Sequence, residues 1–219
     1  MSSQEVKFSQ EMPDVVVQLT EEMSRRGIRT VYFPDGKGAL AYLLEQIPAG
    51  ATVMTGGSKT LEEIGFLAAV QTGDYDYYRP KITAIDDNRE RIKLRRQSTT
   101  ADYYVGGVNA ISLTGEILNV DGSGSRVAAY AYGAGKVFLV AGLNKIEPTL
   151  ESALLRLRNR AAVEECRHLG KDTPCARTGL CSNYECYPPE RQCGKLLIIE
   201  KESVPDRMTL VLVGQSLGF

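Results

Sequence analysis

The sequence lacks an excess of charge of either sign. It carries 26 basic and 27 acidic residues, which gives a formal net charge of −1. Without net basicity the composition does not indicate nucleic-acid binding, and without net acidity it is not typical of a disordered chain. The arginine-dense residues 87–97, DNRERIKLRRQ, therefore predict a helix with a solvated charged face and no nucleic-acid partner.

Long apolar runs are also missing. None approaches the roughly 20 residues that a membrane-spanning helix needs, and residues 1–13 are polar, without an apolar signal core. The sequence therefore predicts a soluble, cytoplasmic protein with no membrane span. Its 219 residues suffice for one domain with a sizeable core, and they are compatible with a homo-oligomer.

Cysteine is absent from the first 165 residues and then occurs five times within a short segment. In a protein without a secretory signal, such a cluster more often binds metal or performs redox chemistry than forms disulfides. Short flexible loops allow thiolates to converge on one centre, as zinc and iron–sulfur clusters both require. The predicted metal ligands are Cys175, Cys181, Cys186 and Cys193. An iron–sulfur cluster, zinc, redox-active disulfides and inert thiols all stay open as interpretations.

Apolar stretches of strand and helix type alternate through most of the chain. Strands are predicted at 28–33, 52–55, 81–85, 103–105, 109–113, 137–141, 195–200 and 208–213, and helices at 13–26, 35–46, 61–70, 87–97 and 149–165. The alternation predicts an α/β fold with a Rossmann-like, mostly parallel sheet. We expect a single domain over residues 1–219, with a cysteine-rich loop at 166–194 and the last two strands forming an antiparallel hairpin.

Residues 103–145 combine glycine-bounded strands with a polar segment. Glycine permits close backbone approach, so that amide groups can point at a bound anion. We interpret the segment as the floor of a site for a small carboxylate or phosphate, and ordinary hairpin turns are the alternative. Asn144 and Lys145 end a strand at the edge where open α/β sheets bind ligands. The candidate anion-binding residues of this stretch are Asn109, Thr114, Arg126, Asn144 and Lys145.

A second glycine-rich junction links the predicted strand 52–55 to a helix. Amide groups at the start of a helix, next to flexible glycine, favour a phosphate or a carboxylate. The junction has neither the Walker A sequence nor the spacing G-x-G-x-x-G, so the anion-site and plain-turn interpretations both stay open. The candidate anion-binding residues here are Gly56, Gly57, Ser58 and Thr60.

Several segments resemble the LUD-domain family, which includes the third subunit of the bacterial lactate-oxidation system. They are GGS-x-T-L-x-E-I-G at 56–65, G-x-N-A-I-x-x-T-G at 107–115, GSGSR at 122–126 and G-x-N-K-I at 142–146. The tail T-P-C-A-x-T-G-x-C at 173–181, with R-x-C at 191–193, is similar to that of a cysteine-bearing branch. The resemblance covers most of the chain and implies a fold similar to ribose-5-phosphate isomerase and the CoA transferases. It also implies a role beside iron–sulfur partner subunits in oxidising L-lactate or a similar 2-hydroxy acid.

Two carboxylates suggest a different function. Glu116 and Asp121 flank a possible strand at the polar segment and are candidates for a general base or nucleophile. The fold relatives that the resemblance implies suggest a stand-alone isomerase-like or transferase-like enzyme acting on a phosphorylated or CoA-linked substrate, with Lys145 and Arg126 binding the substrate anion. The alternative is that both carboxylates only shape turns.

Overall fold

The computed structural model describes residues 12–182 and 185–219. The expectation of a polar, signal-free start at residues 1–13 lies almost wholly outside this part. The strands are β1 Arg29–Phe33, β2 Thr52–Thr55, β3 Asp76–Tyr77, β4 Tyr103–Gly107, β5 Ala110–Ser112, β6 Ile117–Asp121, β7 Lys136–Gly142, β8 Ile146–Glu147, β9 Lys195–Ile199 and β10 Met208–Val213. The helices are α1 Asp14–Arg25, α2 Gly36–Gln46, α3 Lys59–Glu63, α4 Phe66–Thr72, α5 Tyr78–Thr83, α6 Asn88–Gln97, α7 Ser125–Ala128, α8 Leu150–Arg156, α9 Ala162–His168 and α10 Pro174–Thr178.

Six parallel strands form the main sheet, in the order β1-β10-β7-β4-β2-β3. The predicted α/β fold with a mostly parallel sheet is therefore confirmed. Helices cover both faces, so the central strands are continuous apolar runs. In β10, Leu210 and Leu212 pack into the core on one face, while Val211 and Val213 pack into the core on the other.

A smaller mixed sheet, in the order β8-β5-β6-β9, lies over one face of the main sheet. Ile111 and Ile117 join the core shared with the main sheet, whereas Leu118 joins the cluster that includes Leu157 after α8. The strand β6 falls within the segment that the sequence indicated as a polar floor. It is the possible strand beside Glu116 and Asp121, and from Leu118 to Asp121 its apolar and polar residues alternate.

Two predicted features are wrong. The last two strands do not pair as a hairpin, because β10 lies inside the main sheet and β9 pairs with β6. Residues 81–85 are not a strand, since they lie at and beyond the end of the helix α5. Pro80 is tolerated there because it stands in the first helical turn. Ile82 is the buried residue of that helix. The segment therefore lacks the alternation of buried and exposed residues that a strand would show.

The parallel strands all end at one edge of the main sheet, which we call the carboxyl edge. Gly56 follows β2, Val108 follows β4 and Leu143 follows β7, so the glycine-rich segments of the sequence meet there. The single helix predicted at 61–70 is two helices, divided at Gly65 with a left-handed φ of 81°. Within residues 12–182 and 185–219, no helix has both the length and the apolarity that crossing a bilayer requires.

Candidate functional site

An open cleft of about 470 Å³ lies at the carboxyl edge of the main sheet. Its wall contains four arginines and two carboxylates, and glycines close its floor. We call it the arginine cleft. The charged residues of its wall are Arg79, Arg91, Arg95, Arg126, Asp121 and Glu165.

Gly56 and Gly57 form the floor beside the end of β2. The carbonyl oxygen of Gly56 accepts a hydrogen bond of 2.6 Å from Nη1 of Arg79. A Cβ atom at Gly56 would lie 3.1 Å from Cδ of Arg126, which is tighter than most real contacts. Glycine therefore lets the β2 corner approach Arg126, and the predicted residues Gly56, Gly57 and Arg126 meet in one cavity.

Asp121 organises the loop that carries Arg126. Its Oδ1 accepts hydrogen bonds from the amide of Gly124 at 2.7 Å and from Oγ of Ser123 at 3.1 Å. Its Oδ2 accepts one from the amide of Arg126 at 3.2 Å and lies 3.7 Å from Nε of the same residue. Asp121 thus lies in the cleft wall with both oxygens engaged, and its role as a base or nucleophile stays a prediction.

Three arginines of the cleft were not among the predicted site residues. Arg91 and Arg95 stand four residues apart on α6, a spacing that places both on one face of a helix. The charge density of this segment predicts a solvated face, whereas the four-residue spacing is the signal that identifies the pair. Arg79 comes from the first turn of α5, where nothing in the local pattern distinguishes it from a surface residue.

Other predicted residues lie at the carboxyl edge but serve its internal structure. Oγ of Ser58 caps α3 by accepting from the amide of Leu61 at 3.3 Å. Oδ1 of Asn109 accepts from the amide of Val120 at 2.9 Å and so joins β6 to the segment after β4. These side chains hold the walls in place.

Lys145 is buried beneath the carboxyl edge. Its Nζ donates to Oγ1 of Thr60 at 2.9 Å and to the carbonyl oxygen of Val108 at 3.0 Å. Burial, helped by the nearby charges of Arg156 and Arg126, lowers the pKa of Lys145 to about 7. The amine is thus close to its titration point at neutral pH and is not a surface anchor.

Residues 214–219, which we call the covering segment, close the edge above this lysine. Oδ1 of Asn144 accepts from the amide of Leu217 at 3.0 Å. Oε2 of Glu63 accepts from the amide of Gly218 at 2.7 Å. The predicted residue Asn144 therefore holds a backbone segment, and the arginine cleft is the open part of the carboxyl edge.

Glu116 lies outside the arginine cleft, near the turn between β5 and β6. Its carboxylate accepts from Oγ of Ser112, from Oγ1 of Thr114 at 2.6 Å and from Nη2 of Arg26 at 3.1 Å. Burial acts to raise the pKa of Glu116, but these hydrogen bonds and the charge of Arg26 outweigh it and lower the pKa. The structure does not bring Glu116 and Thr114 to the other candidate residues, and the catalytic role of Glu116 stays a prediction.

All five cysteines line one small cavity of about 10 Å³, which we call the thiol pocket. Three of them are buried and two are partly exposed, and all are free thiols. They come from α9, from α10, from the loop that follows and from the approach to β9. The thiols of the pocket are Cys166, Cys175, Cys181, Cys186 and Cys193.

Polar groups contact the thiols. Nη1 of Arg158 lies 3.4 Å from Sγ of Cys193, and Oγ1 of Thr173 lies 3.2 Å from Sγ of Cys175. Burial raises the pKa of the Cys166 thiol to about 11. Soft thiol donors suit zinc or iron, but among the described residues no three His, Cys, Asp or Glu side chains already stand close enough for a metal ion. The predicted ligand set therefore stays a prediction.

The thiol pocket and the arginine cleft are neighbours. Gln192 lines both, and a third cavity of about 40 Å³ between them has Cys193, Arg126 and Phe219 in its wall. A Cβ at Gly122 would lie 3.3 Å from Oε1 of Gln192, so the cysteine segment packs directly on the cleft loop.

Comparison with known proteins gives the family. The sequence matches the LUD domain over residues 16–213. The chain belongs to the LUD-domain family. The crystal structure of a DUF162 family protein from Deinococcus radiodurans is similar to this LUD-domain protein, with 15% identity and a TM-score of 0.51. The match covers 92% of this chain and 97% of that one, and at this identity it shows the fold alone.

Two further solved structures match about half of this LUD-domain protein. Subunit delta of eIF2B from Chaetomium thermophilum is 20% identical with a TM-score of 0.35, over 55% of this chain and 51% of that one. Ribose 5-phosphate isomerase A from Neisseria gonorrhoeae is 13% identical with a TM-score of 0.32, over 52% of this chain and 54% of that one. Such partial likenesses carry no functional argument. No curated protein matches the sequence.

Proposed function

We propose that this LUD-domain protein binds an organic anion in the arginine cleft. In this proposal it is the ligand-binding component of a cytoplasmic system that oxidises L-lactate or a similar 2-hydroxy acid beside iron–sulfur partner subunits. The family membership supports the redox setting. The observation that carries the binding function is the convergence of four arginines on one cavity whose wall holds two carboxylates.

Electrostatics support an anionic ligand. Guanidinium groups form bidentate, charge-assisted hydrogen bonds with carboxylate and phosphate groups. Four of them around one cavity repel one another, and two acidic side chains offset only part of that charge. Arg126 contacts Asp121 and donates to the carbonyl oxygen of Val120. Arg79 donates to Gly56 and Arg91 donates to Asn88, but each guanidinium has five N–H donors and so keeps others for a ligand. A bound anion would relieve this repulsion.

The size of the cleft supports a second candidate function. Ligand sites of roughly 300–1,000 Å³ accommodate molecules of drug or cofactor size. The cleft, at about 470 Å³, is larger than a three-carbon hydroxy acid requires. A phosphorylated or CoA-linked substrate would use this space, with Asp121 or Glu165 as the carboxylate nearest to it. On this alternative the chain is a stand-alone isomerase-like or transferase-like enzyme.

Calorimetric titration tests both candidates. The purified protein is titrated with L-lactate, pyruvate, inorganic phosphate, ribose 5-phosphate and CoA. Arg91→Gln and Arg95→Gln should each weaken the binding of the preferred anion by about tenfold or more, because each removes a charge-assisted hydrogen bond. Arg89→Gln removes the same charge from the same helix at a position outside the cleft wall, and should leave the affinity nearly unchanged.

The outcomes separate the candidates. Binding of lactate or pyruvate alone would support the 2-hydroxy acid system, and loss of growth on L-lactate after deletion of the gene would agree with it. Binding of the phosphorylated compounds or CoA alone would support the second function. The absence of binding by all five compounds, or equal weakening by Arg89→Gln, would contradict the anion site.

A further inference from the structure

We infer that the arginine cleft contains two anion subsites and that its ligand is a phosphorylated carboxylic acid. The floor subsite holds the phosphate between Tyr104, Arg79 and Arg126. The rim subsite holds the carboxylate between Arg91 and Arg95. This inference rests on the proposed function, because it names the class of organic anion that the cleft binds.

The side chain of Tyr104 ends at the floor of the cleft. The residue is 1% exposed, and its ring packs against Tyr130 in the core. Its hydroxyl lies beside Gly56, because a Cβ atom added there would be 3.6 Å from it. Within residues 12–182 and 185–219 this hydroxyl has no hydrogen-bond partner. A hydroxyl that ends a buried side chain normally has a partner, and a ligand in the cleft would supply one.

The charges around this hydroxyl are mostly positive. Arg126, Arg95 and Arg79 all lie within electrostatic range of it. Burial raises the pKa of Tyr104, although the charge of Arg126 acts to lower it, so the hydroxyl keeps its proton at neutral pH. Asp121 is also in range, but its two oxygens accept hydrogen bonds from its own loop. The floor therefore presents a hydroxyl donor among guanidinium groups.

Three elements supply the donors of the floor subsite. Tyr104 belongs to β4, Arg79 to α5 and Arg126 to α7. Both arginines converge on Gly56, since Arg79 donates to its carbonyl oxygen at 2.6 Å and Cδ of Arg126 lies 3.1 Å from the position of an added Cβ. Donors from three elements suit the three terminal oxygens of a phosphate better than the two coplanar oxygens of a carboxylate.

The rim subsite lies on the helix α6. Arg91 and Arg95 are both exposed and stand one helical turn apart, a spacing that puts Cβ atoms about 5–6 Å from each other. Arg95 is within range of Tyr104, so this helix face starts beside the floor and leads away from it. A pair of guanidinium groups binds a carboxylate well. A short carbon chain can therefore join a phosphate at the floor to a carboxylate at the rim.

The charge of the cleft wall also favours a ligand with two anionic groups. Four arginines face two carboxylates, so positive charge is in excess. A singly charged acid would leave part of this excess unbalanced, whereas a phosphorylated carboxylic acid carries negative charge at both of its ends. The cleft, at about 470 Å³, has room for both groups.

Calorimetric titration with three matched compounds tests the inference. 3-Phosphoglycerate carries both anionic groups on a three-carbon skeleton. Glycerol 3-phosphate lacks the carboxylate, and glycerate lacks the phosphate. We expect 3-phosphoglycerate to bind more tightly than either of the others by about tenfold or more, because each of them leaves one subsite empty.

Two variants assign the subsites. Tyr104→Phe removes the floor hydroxyl and keeps the ring in the core, so it should weaken the binding of the two phosphorylated compounds by about tenfold and leave glycerate nearly unchanged. Arg91→Gln should weaken 3-phosphoglycerate and glycerate and leave glycerol 3-phosphate nearly unchanged. Tyr103→Phe is the matched control, since Tyr103 is the neighbouring residue on the other face of β4, where it stacks on Phe138. It should change none of the affinities.

Several results would overturn the inference. They are equal affinities for the three compounds, tighter binding of glycerate or glycerol 3-phosphate, equal effects of Tyr104→Phe and Tyr103→Phe, or binding of lactate without binding of 3-phosphoglycerate. In each of these cases an anion still binds, so the proposed function stands. If neither these three compounds nor the five named above bind, the proposed function is contradicted and the inference is lost with it.

Discussion

At the scale of single residues, Lys145 shows how position changes chemistry. A lysine at the end of a strand near a ligand site suggests an anchor for an anion, as the sequence analysis expected. In the fold it is 4% exposed and donates to Thr60 and Val108. Its ammonium form is disfavoured by burial and by two arginines, so the residue carries a pH-dependent cost to stability.

The sign of this dependence is determined by the depressed pKa. Between about pH 7 and about pH 10 the unfolded chain holds a proton on Lys145 that the folded chain has lost. Stability should therefore rise with pH across this window, and the penalty is fully present below about pH 7. Lys145→Met should remove this rise, as measured by chemical denaturation at several pH values. A variant with the same upward slope as the natural chain would contradict the assignment.

The site residues fall into two groups, which differ in how well the sequence alone predicts that they belong to a site. Gly56, Gly57 and Arg126 belong to strand-to-helix corners, and the parallel fold brings such corners together at one edge. Arg91 and Arg95 leave a weaker signal, since their function depends on where α6 lies against the sheet. Helix spacing predicts their common face, but it does not predict what that face meets.

At the scale of elements, the spacing of apolar residues predicts whether a segment forms a helix or a strand. It is a poorer predictor of which strands pair with each other. Most predicted helices and strands are confirmed, because apolar spacing and capping residues such as Asp35 act locally. The expected hairpin of β9 and β10 is wrong because strands that are close in sequence need not pair, and the composition of these two differs. All six residues of β10 are buried, which is typical of a central parallel strand, whereas Lys195 and Leu196 of β9 are exposed.

The covering segment gives a prediction at this scale. Asn144→Ala removes the acceptor for the amide of Leu217 and the donor to the carbonyl oxygens of residues 217 and 218. Each lost hydrogen bond costs about 1 kcal/mol, so amides of residues 214–219 should exchange with deuterium several times faster. Lys145 should also become reactive towards an amine-labelling reagent near neutral pH.

A matched control separates this effect from general destabilisation. Asn88→Ala makes the same chemical change on the exposed helix α6 and should leave both measurements unchanged. Unaltered exchange in Asn144→Ala would show that other contacts suffice to hold the segment, and the assigned role of Asn144 would then be wrong.

At the scale of the whole molecule, charge is arranged locally in a chain that is almost neutral. The net charge of −1 gives little long-range attraction for an anion. The four arginines of the cleft produce a local positive field, and the carboxylates of other surfaces balance it. The cleft borders the thiol pocket, because Gln192 lines both.

This arrangement predicts how ligand binding depends on salt. The affinity for the preferred anion should fall severalfold when the ionic strength rises from about 0.01 M to about 0.3 M, because the screening length shortens to below the size of the cleft. Titrations in sodium chloride measure this, and Arg95→Gln should show a shallower dependence than the natural chain. An affinity that does not respond to salt would indicate that hydrogen bonds and shape, and not the arginine field, determine binding.

The strand order has a further consequence for how the chain is made. β1 lies at a margin of the main sheet and pairs with β10, which is encoded far downstream. During synthesis β1 therefore leaves the ribosome long before β10. Its backbone N–H and C=O groups stay unpaired while the intervening residues are made. Pairing between segments so distant in sequence is slow, and until it occurs the unpaired strand edge can aggregate with other chains. Nascent chains stalled between β1 and β10 should therefore be the forms most dependent on chaperones.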